Sequence, residues 1–237
     1  MSLSSNSPNA QTLVVESIHR LRAPLYALKL AQSSLLQPEN ENLTEAQRIL
    51  LVECQNRITQ MFTYVDDIAI LADISHHVKS QELILCEVKS IVDSVINDCN
   101  LMMLAKRIHF EINDIAPTLM VMGDPKLLKI ALLNIMDNAF KYSSEGATVL
   151  LKVSEQEDII HIAVTDSGIG VPNDEVSKLF TLYSRLSNAQ KNDIPGSGLG
   201  LWIARSILSA HHGTITYKAH DTVGSVFTLS LPKNLRV

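Results

Sequence analysis

The stretch "NIMDNAFKY", residues 134–142, sets Asn134, Asn138 and Lys141 at spacings of four and three, with Tyr142 next in line. On a helix these spacings bring the first three to one face. An amide oxygen at Asn138 can complete the shell of a magnesium ion that otherwise keeps waters and phosphate oxygens, and Lys141 supplies charge for those phosphates. An ordinary solvated polar face has the same spacing. "DSGIGVP", beginning at Asp166, closes an apolar run with an acid followed by Gly168 and Gly170. Glycine lets backbone approach a ligand, and a buried carboxylate can accept the exocyclic amine of adenine, although a plain turn has a similar composition. In "GSGLGLWIAR", Gly196, Gly198, Leu199 and Gly200 lead into a helix whose first amides point outward, a ready phosphate site. Far upstream, "ESIHRLRAPLYAL" carries His19 between Glu16 and Arg20 on a helical pattern. A neutral imidazole nitrogen can attack phosphorus, but a single helical histidine is more often surface decoration.

These groups need elements to hold them. Val14, Ile18, Leu21, Leu25, Leu28, Gln32 and Leu35 alternate by four and three, an apolar seam interrupted only at Gln32. A second seam runs through Leu51, Cys54, Ile58, Met61, Val65, Ile68 and Ala72. Between them "QPENENLTE" supplies Pro38, polar residues and an N-cap at Thr44, so the two helices are expected to form an antiparallel hairpin. One hairpin leaves a side of each seam wet. A second copy would cover it as a four-helix bundle; packing on the rest of the chain is the alternative. Pro24 lacks the amide that would bond the Arg20 carbonyl, which permits a bend beside His19.

From residue 83 the pattern changes. A short apolar run at Leu83 to Cys86, a helix to about Ala105, strand-like "IHFEI" and "TLMVM", and a helix from Pro125 to Tyr142 follow in turn. "TVLLKV" and "IIHIAVTD" alternate as paired strands, and after a helix near 199–211 "GTITYKA" and "SVFTLSLP" form another pair. The expected fold class is α+β: a helical hairpin followed by an α/β sandwich with a mixed sheet. The expected divisions are a disordered Ser/Asn-rich segment at 1–10, the hairpin at 11–76, a linker at 77–81 and the sandwich at 82–237.

The bulk composition narrows the partners. Twenty Lys and Arg against 25 Asp and Glu give a net charge of −5, so no global field recommends nucleic acid. Cys54, Cys86 and Cys99 have neither metal-ligand nor redox spacing, and their odd number argues against a disulfide framework. Reduced core thiols and a cytoplasmic location are expected. No run approaches the length of a membrane span, so any membrane-bound sensor would lie upstream or in a separate chain.

Order and spacing add what no single motif carries. The asparagine stretch, "DSGIG", "LFTLYSRL" and "GSGLGL" resemble the N, G1, F and G2 boxes of sensor histidine kinases. The resemblance extends through "HHGTI" and "GSVFTLSLP", and back to "HRLRAPL" as the histidine box, covering residues 12–232. Neither a Rossmann fingerprint nor a P-loop occurs.

The resemblance implies a GHKL-type ATP-binding domain with ATP and Mg2+ as cofactors. It places magnesium at Asn138 and adenine recognition at Asp166, with Lys141 and Tyr142 beside the nucleotide. Arg185 would face the terminal phosphate, and residues 186–198 would form a lid over the nucleotide, hinged on glycine. It implies His19 as phosphoacceptor, a homodimer through residues 12–75, and a response-regulator receiver domain that accepts the phosphoryl group on an aspartate. Two positions depart from the family: Arg20 stands where an acid usually follows the histidine, and Ala23 where a threonine or asparagine supports phosphatase activity. Glu16, three residues before His19, is the nearest substitute carboxylate. A degenerate kinase serving as a nucleotide-binding dimeric scaffold is the principal alternative. Another ATPase of the superfamily, of gyrase or mismatch-repair type, or a serine kinase, would lack the histidine-bearing hairpin.

Overall fold

In the computed structural model, residues 10–37, 43–80, 83–192, 194, 196–221 and 223–233 are described; the side chains of 10–15, 19, 73 and 75–80 lie outside that description. The expectations for residues 1–9, for 38–42 between the helices and for 81–82 fall outside the described residues. The chain divides into two compact units, one ending at Ser75 and one beginning at His76.

The first unit is built from α1 (Ala10–Leu35) and α2 (Glu45–Ser80) as far as Ser75. Thr44 starts α2 with a reciprocal cap: its hydroxyl accepts the Gln47 amide at 3.3 Å, while the Gln47 side chain accepts the Thr44 amide at 2.9 Å. α1 runs unbroken through Pro24, held by the apolar contact of Ile18 and Leu25 with Val65. Arg22 pairs with Asp66 at 2.8 Å, and the Tyr26 and Phe62 rings lie 4.7 Å apart. α2 continues through Ser80, over most of the stretch expected to be a linker, because "SHHVKS" contains neither glycine nor proline to stop it.

Each seam splits into two rows. Ile18, Leu25 and Gln32 are buried, whereas Leu21 and Leu28, half a heptad on, are 53% and 55% exposed. On α2, Val65 is buried and Leu51, Ile58 and Ala72 are half-buried, while Cys54, Met61 and Ile68 face out. One row of each helix therefore serves the hairpin itself, and a second apolar row on each faces away from it. Gln32, in the inner row, donates from its amide to the Leu51 carbonyl, while its buried side-chain oxygen has no hydrogen-bond partner among the described residues.

The second unit is a two-layer sandwich. Its elements are β1 (Ile84–Glu87), α3 (Val88–Ala105), β2 (His109–Ile112), β3 (Met120–Gly123), α4 (Pro125–Tyr142), β4 (Thr148–Gln156) and β5 (Ile159–Asp166). After a short 3-10 segment, Asn173–Lys178, come α5 (Ser187–Lys191), α6 (Gly200–Ala210), β6 (Thr214–Ala219) and β7 (Ser225–Pro232). The main sheet has the order β2-β4-β5-β7-β6, with β2 parallel to β4 and the other neighbours antiparallel; β1 and β3 pair separately. Alternate residues of the central strands, Val149, Leu151, Ile160, Ile162, Val164, Phe227 and Leu229, are buried, with β5 and β7 packed on α4 and β7 also on α6.

α4 and α6 are fastened at the end away from the glycine motifs. Asp124 caps α4 by accepting the Lys126 and Leu127 amides at 2.8 and 3.2 Å, with Pro125 in the first turn. His211, fully buried just past α6, donates from Nδ1 to the Ile207 carbonyl at 2.7 Å and accepts the Asp124 amide on Nε2 at 3.0 Å. Those two partners fix the neutral tautomer, and burial pushes the imidazole pKa down. Helix packing thus starts from a bolted base, and the motif residues lie at its other end.

Candidate functional site

Asn134, Asn138, Lys141 and Tyr142 occupy the C-terminal half of α4, all half-buried, opposite the buried face formed by Ile135, Met136, Ala139 and Phe140. The Asn134 amide donates to the Ile130 carbonyl at 2.9 Å, and its oxygen lies against Gly200, where a Cβ would come within 2.6 Å. A larger residue at the start of α6 would therefore have to displace the Asn134 side chain. Lys141 pairs with Asp137 one turn back. Among the described residues, no hydrogen bond holds the Asn138 side chain, so its amide oxygen is left available for coordination.

Asp166 ends β5 and is 4% exposed. One carboxylate oxygen accepts the amides of Gly168 at 2.8 Å and Ser225 at 3.2 Å. Among the described residues, no hydrogen bond reaches its second oxygen. Burial raises the carboxyl pKa to about 6 against the opposing pull of those amides. Gly224 makes the arrangement possible: its φ is +118°, and a Cβ there would fall 1.9 Å from the Asp166 carbonyl oxygen.

The following loop leans on α4. Ile169 donates its amide to the Tyr142 carbonyl at 3.2 Å, and a Cβ on Gly168 would lie 2.5 Å from that same oxygen. Gly170 accepts from the Asn188 side chain at 2.8 Å, and Ser187 donates to Glu175 through both amide and hydroxyl, at 2.8 and 3.0 Å. Residues 186–198 therefore include the short α5, tied to the glycine loop on one side and to the 3-10 segment on the other. Arg185 donates to the Ile194 carbonyl at 2.7 Å. Its charge and that of Lys141 both act on Tyr142, whose hydroxyl pKa is raised by burial and lowered by the two cations. Gly198, at φ +73°, sits where a Cβ would come within 2.8 Å of Tyr183 and Ser184 backbone atoms. The Ser197 hydroxyl accepts the amide of Leu199, which is buried as α6 begins.

Asn134, Asn138, Lys141, Tyr142, Asp166, Gly168, Gly170, Arg185 and the 196–200 segment thus lie in one unit, where direct contacts join Asn134 to Gly200, Tyr142 to the glycine loop and that loop to Asp166; Asn138 and Lys141 share the α4 face with Asn134. His19, Glu16 and Arg20 lie on α1 in the other unit, and the His19 side chain is outside the described residues. Glu16 is engaged: Arg20 pairs with it at 2.6 Å, one helical turn apart and largely exposed. Motif reading missed Gly224 and Ser225 as supports of Asp166. The available signal is a Gly-Ser pair opening the last strand, which antiparallel pairing sets against the strand ending in Asp166.

Oxygen donors and cations of this kind suit a nucleotide carrying magnesium: Asn138 offers one neutral oxygen, the usual complement being phosphate oxygens and water. Among the described residues there is no group of three or more His, Cys, Asp or Glu placed to hold a metal, so such an ion would depend on the phosphates it accompanies.

Residues 123–235 match the family described as histidine kinase-, DNA gyrase B-, and HSP90-like ATPase. Sensor histidine kinase WalK of Bacillus subtilis is 33% identical over 220 residues, covering 90% of this chain and 35% of WalK. Sensor-like histidine kinase SenX3 of Mycolicibacterium smegmatis is 29% identical over 217 residues, covering 91% of this chain and 55% of SenX3. Among solved structures, full-length ShkA in complex with AMPPNP shares the fold at a TM-score of 0.71 and 24% identity, over 94% of this chain and 46% of ShkA. The chain spans about a third to a half of the length of these relatives. An α/β sandwich with a glycine-flanked buried acid, joined in one chain to a helical hairpin, thus carries an ATPase domain of the histidine kinase-, DNA gyrase B-, and HSP90-like kind over residues 123–235, in a chain similar over nine-tenths of its length to sensor histidine kinases.

Proposed function

We propose that the chain is an ATP-dependent protein histidine kinase that phosphorylates His19 and passes the phosphoryl group to an aspartate of a response-regulator receiver domain. The observation that supports this reading is buried Asp166, one oxygen of which is held by the Gly168 and Ser225 amides, in the same unit as Asn138, Lys141 and Arg185, on a chain whose hairpin bears His19. The second Asp166 oxygen would accept the adenine amine. Asn138 would complete the shell of a magnesium ion, which when bound offsets phosphate charge. Lys141, released from Asp137, and Arg185, released from the lid backbone, would meet the phosphates. An imidazole nitrogen of His19 forms the new bond to the terminal phosphorus, the bond to the bridging oxygen breaks, and ADP departs with that electron pair; the other ring nitrogen gives up its proton. In the second step the phosphorus–nitrogen bond is exchanged for one to the receiver's carboxylate.

The Arg20–Glu16 pair favours one rival, a nucleotide-binding dimeric scaffold without efficient phosphotransfer, because it occupies the nearest carboxylate to His19. Incubation with γ-labelled ATP separates the two. Acid-labile label lost in His19→Gln supports the kinase; bound nucleotide without label supports the scaffold.

The doubled seam predicts the assembly. Leu21, Leu28, Met61 and Ile68 are large apolar side chains on faces that the hairpin does not use. A second copy in a four-helix bundle would cover them. Light scattering of the whole chain should give a dimer, and a truncation starting at Leu83 a monomer that still binds ATP. A dimeric truncation would remove the bundle from the explanation.

The raised pKa of Asp166 predicts a pH dependence. Above about 6 the carboxylate is ionised and accepts the adenine amine; as pH falls through that value the proton competes with the ligand. Adenosine affinity should drop about tenfold between roughly pH 7.5 and pH 5, as expected for one proton excluded by binding. Adenosine is the suitable ligand because its phosphate-free structure adds no titration of its own. A flat profile would mean that Asp166 does not contact the base. The sign for folding is the opposite: a carboxyl with a raised folded pKa binds its proton more tightly in the folded chain, so its contribution declines as pH rises from about 4 to about 6.

A further inference from the structure

Lys106, the residue that follows α3, extends its ammonium group to three carbonyl oxygens at the end of α4: Phe140 at 2.8 Å, Lys141 at 2.9 Å and Ser143 at 3.0 Å. The end of a helix leaves its last carbonyls without intrahelical partners. Lys106 takes the oxygens on either side of one exception, Tyr142. That oxygen receives the Ile169 amide at 3.2 Å and is the atom against which Gly168 packs. Gly168 in turn donates to Asp166. The Lys106 carbonyl accepts the Gly146 amide at 3.0 Å, so the turn after α4 is tied to the same residue.

We propose that Lys106 is a positioning residue of the nucleotide site. It fixes the α4 terminus so that the Tyr142 carbonyl is presented to the glycine loop, and through that loop sets the Asp166 carboxylate. Lysine suits this place for three reasons. An ammonium has three donors and no acceptor, its charge complements the negative end of the helix, and charge-assisted bonds to carbonyls are the stronger kind. A neutral side chain of the same length leaves three carbonyls to rearrange, and Tyr142 moves with its neighbours. The inference rests on the nucleotide-site reading above, and its test separates the two.

The test compares the parent with K106M and K106R, at a temperature well below unfolding, by amide hydrogen exchange and ATP affinity. In K106M the Ile169 amide should exchange about tenfold faster or more, while amides in β5 and β7 keep the parent rate, and ATP should bind about tenfold more weakly, the scale of one lost charge-assisted bond. K106R, which keeps the charge but not three donors about one point, should fall between. A lysine that only stabilises the fold would lower the melting temperature and speed exchange everywhere, with affinity unchanged in the folded protein; that outcome, or an unaltered Ile169 amide, overturns the proposal. Should K106M fail to fold, selective acceleration of Ile169 in K106R carries the same decision. If the parent itself does not bind ATP, the nucleotide reading fails, and the Ile169 exchange still decides the role of Lys106.

Discussion

Asp166→Ala is expected to weaken ATP binding by about two orders of magnitude while leaving the sandwich folded. Two losses combine. The base loses its acceptor, a hydrogen bond to a charged group worth about 1.5–3 kcal/mol, or roughly 10- to 150-fold in affinity. The amides of Gly168 and Ser225 also lose their common partner, so the loop that leans on Tyr142 is no longer tied to the end of β5. Asp166→Asn separates the two contributions. An amide oxygen can still accept both backbone donors, but its NH2 then faces the adenine amine, so the loop is kept and the ligand contact is lost. Isothermal titration with ATP and circular dichroism on both variants measure this. Equal affinity in parent and Asp166→Asn would remove the acid from the site. Asn138→Ala serves as the counterpart at the phosphate end: its effect should appear with ATP and magnesium and be small with adenosine.

How much of this site the sequence could disclose depends on where each contact lies along the chain. Asn138 and Lys141 share a face through spacing alone, and α4 runs from Pro125 to Tyr142 as its pattern predicts, because a capping acid and an early proline mark the start locally. Asp166 is readable as an acid that ends an alternating strand. Its supports are not, since Ser225 meets it only through the pairing of β5 with β7, 59 residues apart. Lys106 is harder still: its partners lie 34 to 37 residues away, on a helix whose own pattern gives no sign of a missing cap. The separate pairing of β1 with β3 escapes for a related reason, as four-residue strands carry too little alternation to announce a partner. In the hairpin, spacing gave the seams but not their division into inner and outer rows, which required knowing which side the second helix takes. Glu16 illustrates a local competition: it was available to His19 at three residues and to Arg20 at four, and the ion pair formed at four.

That pair shapes the kinetics to be expected of the histidine box. Arg20 and Glu16 are largely exposed, so their attraction contributes at most about 1 kcal/mol and is easily exchanged. Its consequence is chemical: the nearest acid is shared with a cation, and no acid follows His19 to take the ring proton. A positioned general base contributes about 10²- to 10⁴-fold. Arg20→Glu, which adds an acid beside the histidine and releases Glu16, should therefore accelerate autophosphorylation by about 10²-fold, the lower end of that range. Arg20→Ala isolates one half of the change by freeing Glu16 without adding an acid, and should give a smaller gain. The parent's guanidinium offsets the charge of a phosphorylated imidazole, so slow formation should accompany slow loss, and both substitutions should shorten the lifetime of phosphorylated His19. Ala23 acts in the same direction, having no polar group to hold the water that would dephosphorylate a receiver. Weak phosphatase activity is expected, partly restored by Ala23→Thr. Rates of label gain and loss on His19, and of receiver dephosphorylation, decide the matter in the four proteins. A parent that is already fast and indifferent to Arg20→Glu would show that proton removal does not limit the step, and strong parent phosphatase activity would show that the water is held by something other than the residue at position 23.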